Sequence, residues 1–444
     1  MIVSKAFALG PHEIALVVNE DSIESILLAD VYKRLRSIPD RNIIRVSLPK
    51  AVYDGTGTDI SPENFTEYIW KPVMRRIDDT GMRAQILACV YSCGFPTRVT
   101  TTPAMSLTGL TFLRNKIPDH GLIEQGRYVS DLFAGPTTAD AVARPSAAFD
   151  VLRNKLLDLM PFPAMMLAFI GDRGMTVGEA IASLEKTAAM DSTQPTGTFF
   201  FAVNNDVRST CRHWEYAGAA RVINSYEGQV AVVSTNMPSK ENFPLAGFMT
   251  GAQHVPVRSL EMLPGAYGDN LTSWGADFER AAHTKVTDWF KTGVISSGTV
   301  VEPYAIWTKF ANAFIFVHYL NGCTAYESIF KSVSCPLQIL PLGDPLCNPW
   351  APKITPVIES SSGALSGLAD LSASVENENP KVFLRFNWLV DGVNVASGRN
   401  FVWDTKGVDD GRHRVRVVVK HQLESVRHQA FAEIEVEVNN GGDN

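Results

Sequence analysis

Two stretches decide how this chain is read: Ile14-Ala15-Leu16-Val17-Val18-Asn19-Glu20-Asp21-Ser22 and Phe199-Phe200-Phe201-Ala202-Val203-Asn204-Asn205-Asp206-Val207-Arg208-Ser209. Each is an unbroken apolar run that closes on Asn-x-Asp and a hydroxyl residue. Each leads into helix-forming sequence, Ile23 to Leu35 in the first case. An apolar run without alternation is a strand buried on both faces, the mark of a parallel sheet covered by helices. The design continues outward from both stretches. Ile43 to Pro49 is answered by Val230 to Pro238, and Gln85 to Pro96 by Pro244 to Pro256. Helix starts carry capping residues, as at Ser61-Pro62-Glu63-Asn64, where Pro stands in the first turn. The chain thus reads as α/β, with two tandem Rossmann-like halves of mostly parallel sheet and helices on both faces, over 9–100 and 196–352.

The stretch 101–195 between them is rich in Thr, Pro and Ala. Its helical patterns, Ala147 to Met160 and Thr176 to Ala189, predict a helical insertion or linker. Beyond Pro352 the character changes. A linker over 353–364, with Ser360-Ser361-Ser362-Gly363, precedes runs that alternate with period two: Val382 to Val390, Arg412 to Lys420 and Phe431 to Val438. Asp391-Gly392 and Asp410-Gly411 are turn dipeptides between such strands. Residues 365–440 therefore predict an all-β, immunoglobulin-like sandwich around Trp388.

The 444 residues, at about 150 per domain, accommodate those units. With 45% hydrophobic and 20% charged residues the chain has enough apolar material for a core. Apolar stretches such as Pro161 to Ile170 stop short of the roughly 18–20 residues of a membrane helix, so no transmembrane segment is expected. A formal charge of −7 without a basic block argues against a nucleic-acid or anionic-membrane partner. The six cysteines, Cys89, Cys93, Cys211, Cys323, Cys335 and Cys347, form no C-x-x-C pair, and no His pair has zinc spacing. They read as buried thiols, with a bridge among Cys323, Cys335 and Cys347 left open. Ala6-Phe7-Ala8 has the small-x-small form of a signal-peptidase site, so cleavage after Ala8 of a secreted or cell-surface protein is expected, with the apolar part of the signal missing from this start.

Chemistry in such sheets sits in loops at the carboxyl ends of the strands. The second half offers Gly251 to His254, Leu263 to Asn270, Ser296 to Glu302, and Gly343-Asp344-Pro345. His254, Asp269 and Ser273 (or Thr272) have the composition of a hydroxyl triad, although Thr272 and Ser273 also suit a helix cap. Asp269, Glu302 and Asp344 are carboxylates expected on one rim, where oxygen ligands would hold a divalent cation; capping is the plainer role. Cys211 lies near His213, Cys93 ends a strand, and Gly171-Asp172-Arg173-Gly174 lacks the Lys-Ser/Thr of a phosphate loop. His413, His421 and His428 read as solvated.

The run Thr287 to Thr299, followed by Asn321 to Ser328 and closing on Leu342-Gly343-Asp344-Pro345, resembles the last third of the gingipain-type, caspase-like cysteine peptidases. Those proteins also place an immunoglobulin-like module after two α/β subdomains. Over nearly its full length the chain is similar to an exported bacterial family found with exosortase sorting systems. Leu9 to Glu13, Leu271 to Gly275, Val300 to Pro303 and Gly343 to Trp350 carry that similarity. The resemblance implies a His after the third strand of the second half and a nucleophilic Cys after the fourth. His254 fills the first place; no Cys stands in Leu263 to Asp269 for the second, and His254 lacks the usual following Gly. It therefore implies a pseudo-peptidase: an exported structural or binding protein with a protein or extracellular polymer as partner. Self-assembly into an ordered array is a third alternative, for which the edges of the sandwich are the candidate contacts. Structural calcium is the one cofactor the resemblance suggests. The rival expectation is a cysteine peptidase or other hydrolase using His254.

Overall fold

The computed structural model describes residues 9–55, 57–138, 161–360, 364–421, 426 and 428–441. The first half lays down β1 (Ile14–Asn19), β2 (Ile43–Val46), β3 (Asp59–Ile60), β4 (Ala88–Tyr91), β5 (Arg98–Val99), β6 (Met105–Ser106) and β7 (Ala164–Met166). The second lays down β8 (Gly197–Ala202), β9 (Gln229–Ser234), β10 (Leu245–Thr250) and β11 (Met262–Asn270). Spatial order is the same in both halves, β2-β1-β4-β7 and β9-β8-β10-β11, and every neighbour is parallel. The two Asn-x-Asp turns repeat as well. The Asn19 N–H donates to Ser25 Oγ and the Asn204 N–H to Ser209 Oγ, both at 3.0 Å. The Asp21 N–H reaches Asn19 Oδ1 at 3.1 Å, and the Asp206 N–H reaches Asn204 Oδ1 at 2.9 Å. Asx turns of this kind redirect a strand into the following helix.

The chain then returns to the first sheet. After β12 (Ser296–Thr299), β13 (Ile339–Leu342) pairs parallel with β7, while β12 pairs antiparallel with β13 at the edge. A parallel bridge between Tyr267 in β11 and Ile295, the residue before β12, joins the two sheets. Because β12 opposes β13, the parallel strands of the two halves run in opposite directions. The carboxyl ends of β8, β10, β11 and β12 therefore lie along one sheet edge, and those of β1, β4, β7 and β13 along the other.

Several expected boundaries move. Within 101–195, β7 is an inner strand of the first sheet rather than part of an insertion; Pro161 and Pro163 beside a three-residue strand hid it. The helix expected at Thr176 to Ala189 forms as Val177–Ala189, capped by Thr176, whereas Ala147 to Met160 lies outside the described residues. Ala6-Phe7-Ala8 also lies outside them. The last strands of 196–352 belong to the first sheet. The fourth strand of the second half is β11, so Leu263 to Asn270, expected as a loop, is strand. Its glycines serve packing: a Cβ at Gly268 would stand 2.4 Å from the ring of buried Trp289.

A buried ion cluster fixes the return. Arg36, 2% exposed at the end of helix Ile23–Arg36, donates Nε to Asp344 Oδ1 at 3.2 Å. Its two terminal nitrogens pair with Asp344 and Asp191. Tyr32 Oη (3.1 Å) and Thr187 Oγ1 (2.8 Å) also donate to Asp344.

The C-terminal module comprises β14 (Pro356–Ser360), β15 (Leu368–Val375), β16 (Leu384–Val390), β17 (Val393–Ser397), β18 (Asn400–Asp404), β19 (Gly411–His421) and β20 (Gln429–Val438). It starts within the expected linker, because β14 pairs with β15. Two antiparallel sheets, β14-β15-β18 and β17-β16-β19-β20, enclose Leu371, Phe386, Trp388, Phe401, Val415 and Val417. Asp391 (φ 48°) and Gly392 (φ 82°) make the β16–β17 turn, in which both residues are left-handed. The module is not a loose appendage. Leu389, Val418 and Phe431 pack into the core of the α/β body. Lys420 Nζ meets Glu13 Oε1 at 2.5 Å, and Gln429 Nε2 donates to Glu13 Oε2 at 2.6 Å. The histidines are not simply solvated: His413 Nδ1 lies 2.7 Å from Asp391 Oδ2, and His428 Nε2 lies 2.9 Å from the Asn321 carbonyl. All six cysteines are free thiols, so the bridge among Cys323, Cys335 and Cys347 is not formed. No helix among the described residues is long and apolar enough to cross a membrane.

Replacing Arg36 by Met strands two buried carboxylates and is expected to lower the unfolding free energy by about 3–5 kcal/mol. Arg414→Met, whose partner Asp40 is an exposed carboxylate 3.6 Å away, is expected to change it by less than about 1 kcal/mol. Urea unfolding of the two variants measures the difference.

Candidate functional site

In a sheet of this order the chain crosses to opposite sides of the first strand, and ligands bind outside the carboxyl ends at that point. In the second half this is the crevice above β8 and β10, flanked by β11. Three loops meet there: 203–212, 251–257 and 271–285. Thr284 stitches two of them, its N–H donating to the Gln253 carbonyl at 3.0 Å and its Oγ1 accepting from the Val255 N–H at 2.8 Å. The longest loop wraps around a lysine. Lys285 Nζ donates to the carbonyls of Trp274 (2.7 Å), Asp277 (2.8 Å) and Ala282 (2.8 Å). Burial lowers its pKa to about 8, opposed by Asp277 and Asp288.

These loops carry the site's side chains. His254 is exposed, and its ring stands edge-on to that of His283, with centroids 5.9 Å apart. His283 Nδ1 is hydrogen-bonded to Thr272 Oγ1, and its ring stacks on Trp274 at 4.9 Å. Arg280 lies 4.6 Å from the Trp274 ring and pairs with Asp277. His283 has φ +67°, a left-handed conformation that L side chains adopt at a cost on the order of 1–3 kcal/mol. Arg208 donates to both oxygens of Asp206 at 2.9 and 3.0 Å. With the Gln253 amide oxygen turned toward it, the guanidinium also reaches that oxygen at 3.1 and 3.2 Å. Burial, reinforced by Arg208, His254 and Lys285, holds His283 below the usual imidazole range.

The expected triad is not assembled. Asp269, fully buried within β11, accepts from Arg212 Nη2 at 2.8 Å and from Tyr267 Oη at 3.1 Å. It serves as the counter-ion of a buried guanidinium. Ser273 is 8% exposed, and its carbonyl accepts from Thr299 Oγ1 at 3.2 Å. No hydrogen bond joins His254 to Ser273 or Asp269 among the described residues. Thr272 and His283 are the hydroxyl and imidazole brought together. The Thr272 position was legible; His283 was not, because it stands in a polar run where nothing marks it from a solvated loop residue.

The three expected metal ligands do not converge either. Asp344 follows β13 and so lies at the opposite sheet edge, in the Arg36 cluster. Glu302 follows β12, where its Oε1 accepts the Tyr304 N–H at 3.0 Å. Among the described residues no group of three or more His, Cys, Asp or Glu is placed to hold a metal ion. Burial disfavours the thiolate form of the cysteines. Burial raises the pKa of Cys93 and Cys323 to about 12 and of Cys335 to about 11, and also raises those of Cys89, Cys211 and Cys347.

No family model and no curated protein matches this chain. Among solved structures it is similar to fibronectin(III)-like modules of Clostridium thermocellum CbhA, at 13% identity, over 24% of this chain and 55% of that one, with a TM-score of 0.16. The chain thus spans about half the length of that structure.

Beneath the rim, Glu215 is buried beside the Arg212–Asp269 pair, its Oε2 accepting the Ala313 N–H at 2.7 Å. Burial pushes its pKa from 4.5 to about 8. Between those values the unfolded chain has lost this proton while the folded chain keeps it. This group therefore makes stability fall as pH rises through that window, by a few kcal/mol in all at about 1.4 kcal/mol per pH unit. Glu215→Gln is expected to flatten the dependence and to be the more stable form at pH 8, as measured by urea midpoints from pH 5 to pH 8.

Proposed function

We propose that this chain is an exported binding protein, built on a caspase-like tandem α/β body without thiol peptidase chemistry and carrying an immunoglobulin-like module. The observation that carries this reading is the company kept by the rim imidazoles. His254 occupies the place after the third strand where such peptidases carry their histidine, yet none of the six thiols is hydrogen-bonded to an imidazole among the described residues. A cysteine nucleophile needs its thiolate at neutral pH, and burial moves all six thiols the other way. The repeated strand order and the antiparallel edge strand β12 support the caspase-like assignment. The three-plus-four sandwich supports the immunoglobulin-like one. Its seating on the α/β body, through Lys420 and Gln429 on Glu13 and through Phe431 in the core, suits a module that presents or spaces a binding surface. Export rests on the sequence resemblance given above.

The Thr272–His283 hydrogen bond favours a second reading, a hydrolase with a hydroxyl nucleophile. Against it, Thr272 is 1% exposed and Asp269 is committed to Arg212.

Digestion of a diverse peptide library by the full chain, read by mass spectrometry with and without iodoacetamide, separates these readings. The expected result is an intact library and no labelling of Thr272 by a fluorophosphonate probe. Cleavage abolished by alkylation would overturn the binding reading in favour of a thiol peptidase; cleavage lost in Thr272→Ala alone would establish the hydroxyl hydrolase.

A further inference from the structure

We propose that the rim of the second half binds an oxyanion, a carboxylate or phosphoryl group, between the imidazoles of His254 and His283 and the guanidinium of Arg208. The proposal rests on the binding-protein reading and names the chemistry of its ligand.

The geometry leaves donors free and commits the acceptors. Thr272 occupies Nδ1 of His283, so Nε2 is the ring's open nitrogen. Neither ring nitrogen of His254 has a hydrogen-bond partner among the described residues. The carboxylates nearby are taken: Asp206 holds Arg208, Asp277 holds Arg280, and Glu302 accepts the Tyr304 N–H. A cationic ligand would have to displace one of these contacts, whereas an anion would meet open imidazole nitrogens and share the Arg208 guanidinium with Asp206.

The field points the same way. The charged and titratable groups acting on His283 are Arg208, His254 and Lys285 on the positive side and Glu302 on the negative. At a half-buried ring such charges are less screened than in water. They disfavour protonation of the empty site and would stabilise an anion placed against it. The rings are also held in position beforehand. The Thr284 stitches set the two loops side by side, and the three carbonyls on Lys285 fix the loop that holds His283 in its left-handed conformation. Strain retained at a half-buried rim residue is an arrangement expected of a ligand clamp.

The pH dependence follows. An anion set against the ring of His283 stabilises its imidazolium and offsets the burial that holds it below the usual range, so affinity rises as pH falls. Full-length protein labelled with 15N-histidine can be titrated at constant ionic strength with sulfate, whose charge is fixed over this range, and separately with acetate, at pH 6 and pH 8. The expected result is saturable shifts of the His254 and His283 resonances, with affinity about tenfold higher at pH 6, equivalent to ~1.4 kcal/mol. His283→Asn and Arg208→Gln are each expected to weaken binding by about tenfold, and His413→Asn, in the sandwich, to leave it unchanged. Preference for sulfate assigns a phosphoryl ligand and preference for acetate a carboxylate; either supports the proposal. Linear, non-saturating shifts in the wild type, or the same response in the folded His283→Asn variant, would overturn it. That outcome leaves the binding reading intact, whereas cleavage of the peptide library would remove that reading without altering these shifts.

Discussion

The architecture hangs on one buried guanidinium. Arg36 sits at the end of the first helix and shares its charge between Asp344, in the turn after β13, and Asp191, just beyond helix Val177–Ala189. Desolvating three charges is costly, and the cost is offset only because hydrogen bonds from Tyr32 and Thr187 complete Asp344 while the Asn348 N–H completes Asp191. Satisfied in this way, the cluster allows β13 only one place, next to β7. β13 then carries β12, and the residue before β12 pairs with β11. The joining of the halves and their opposed strand directions therefore descend from a contact far from either rim.

The rim of the second half is organised by a different economy of charge. Its longest loop contains no regular element across its exposed part, and it is shaped by an ammonium that collects three of its carbonyls. Such a loop is ordered by a point charge rather than by an apolar core, which frees its side chains for other partners. Trp274 illustrates this: half-buried, it contacts Arg280 and His283 and leaves the loop's apolar anchoring to Phe278, which stacks on Phe169 at 3.9 Å.

The division between legible and illegible features follows the range of the forces involved. Apolar runs, Asx turns and capping hydroxyls act within a few residues, so the two-halved α/β plan, the helix starting after Thr176 and the alternating strands of the sandwich could be read directly. Misreadings fell where a distant partner decided the outcome. Gly265 and Gly268 read as loop because glycine breaks isolated strands, yet in β11 the absence of a Cβ at Gly268 lets the Trp289 ring close on the sheet. β7 read as insertion because a three-residue strand directly after Pro161 and Pro163 carries too little pattern to register.

The sequence by itself determined the kind of elements, their order, the repeat and the position of His254, because these depend on local patterning of apolar, turn and capping residues. Only the tertiary structure decided which polar groups face one another. Asp269 turned inward because Arg212 needed a counter-ion, Asp344 went to the opposite edge because β13 runs against β12, and His283 came beside His254 because Thr284 ties two loops together while Lys285 gathers one of them. Those pairings join residues remote in sequence and are set by desolvation and strand direction, neither of which leaves a mark in the local order of residues.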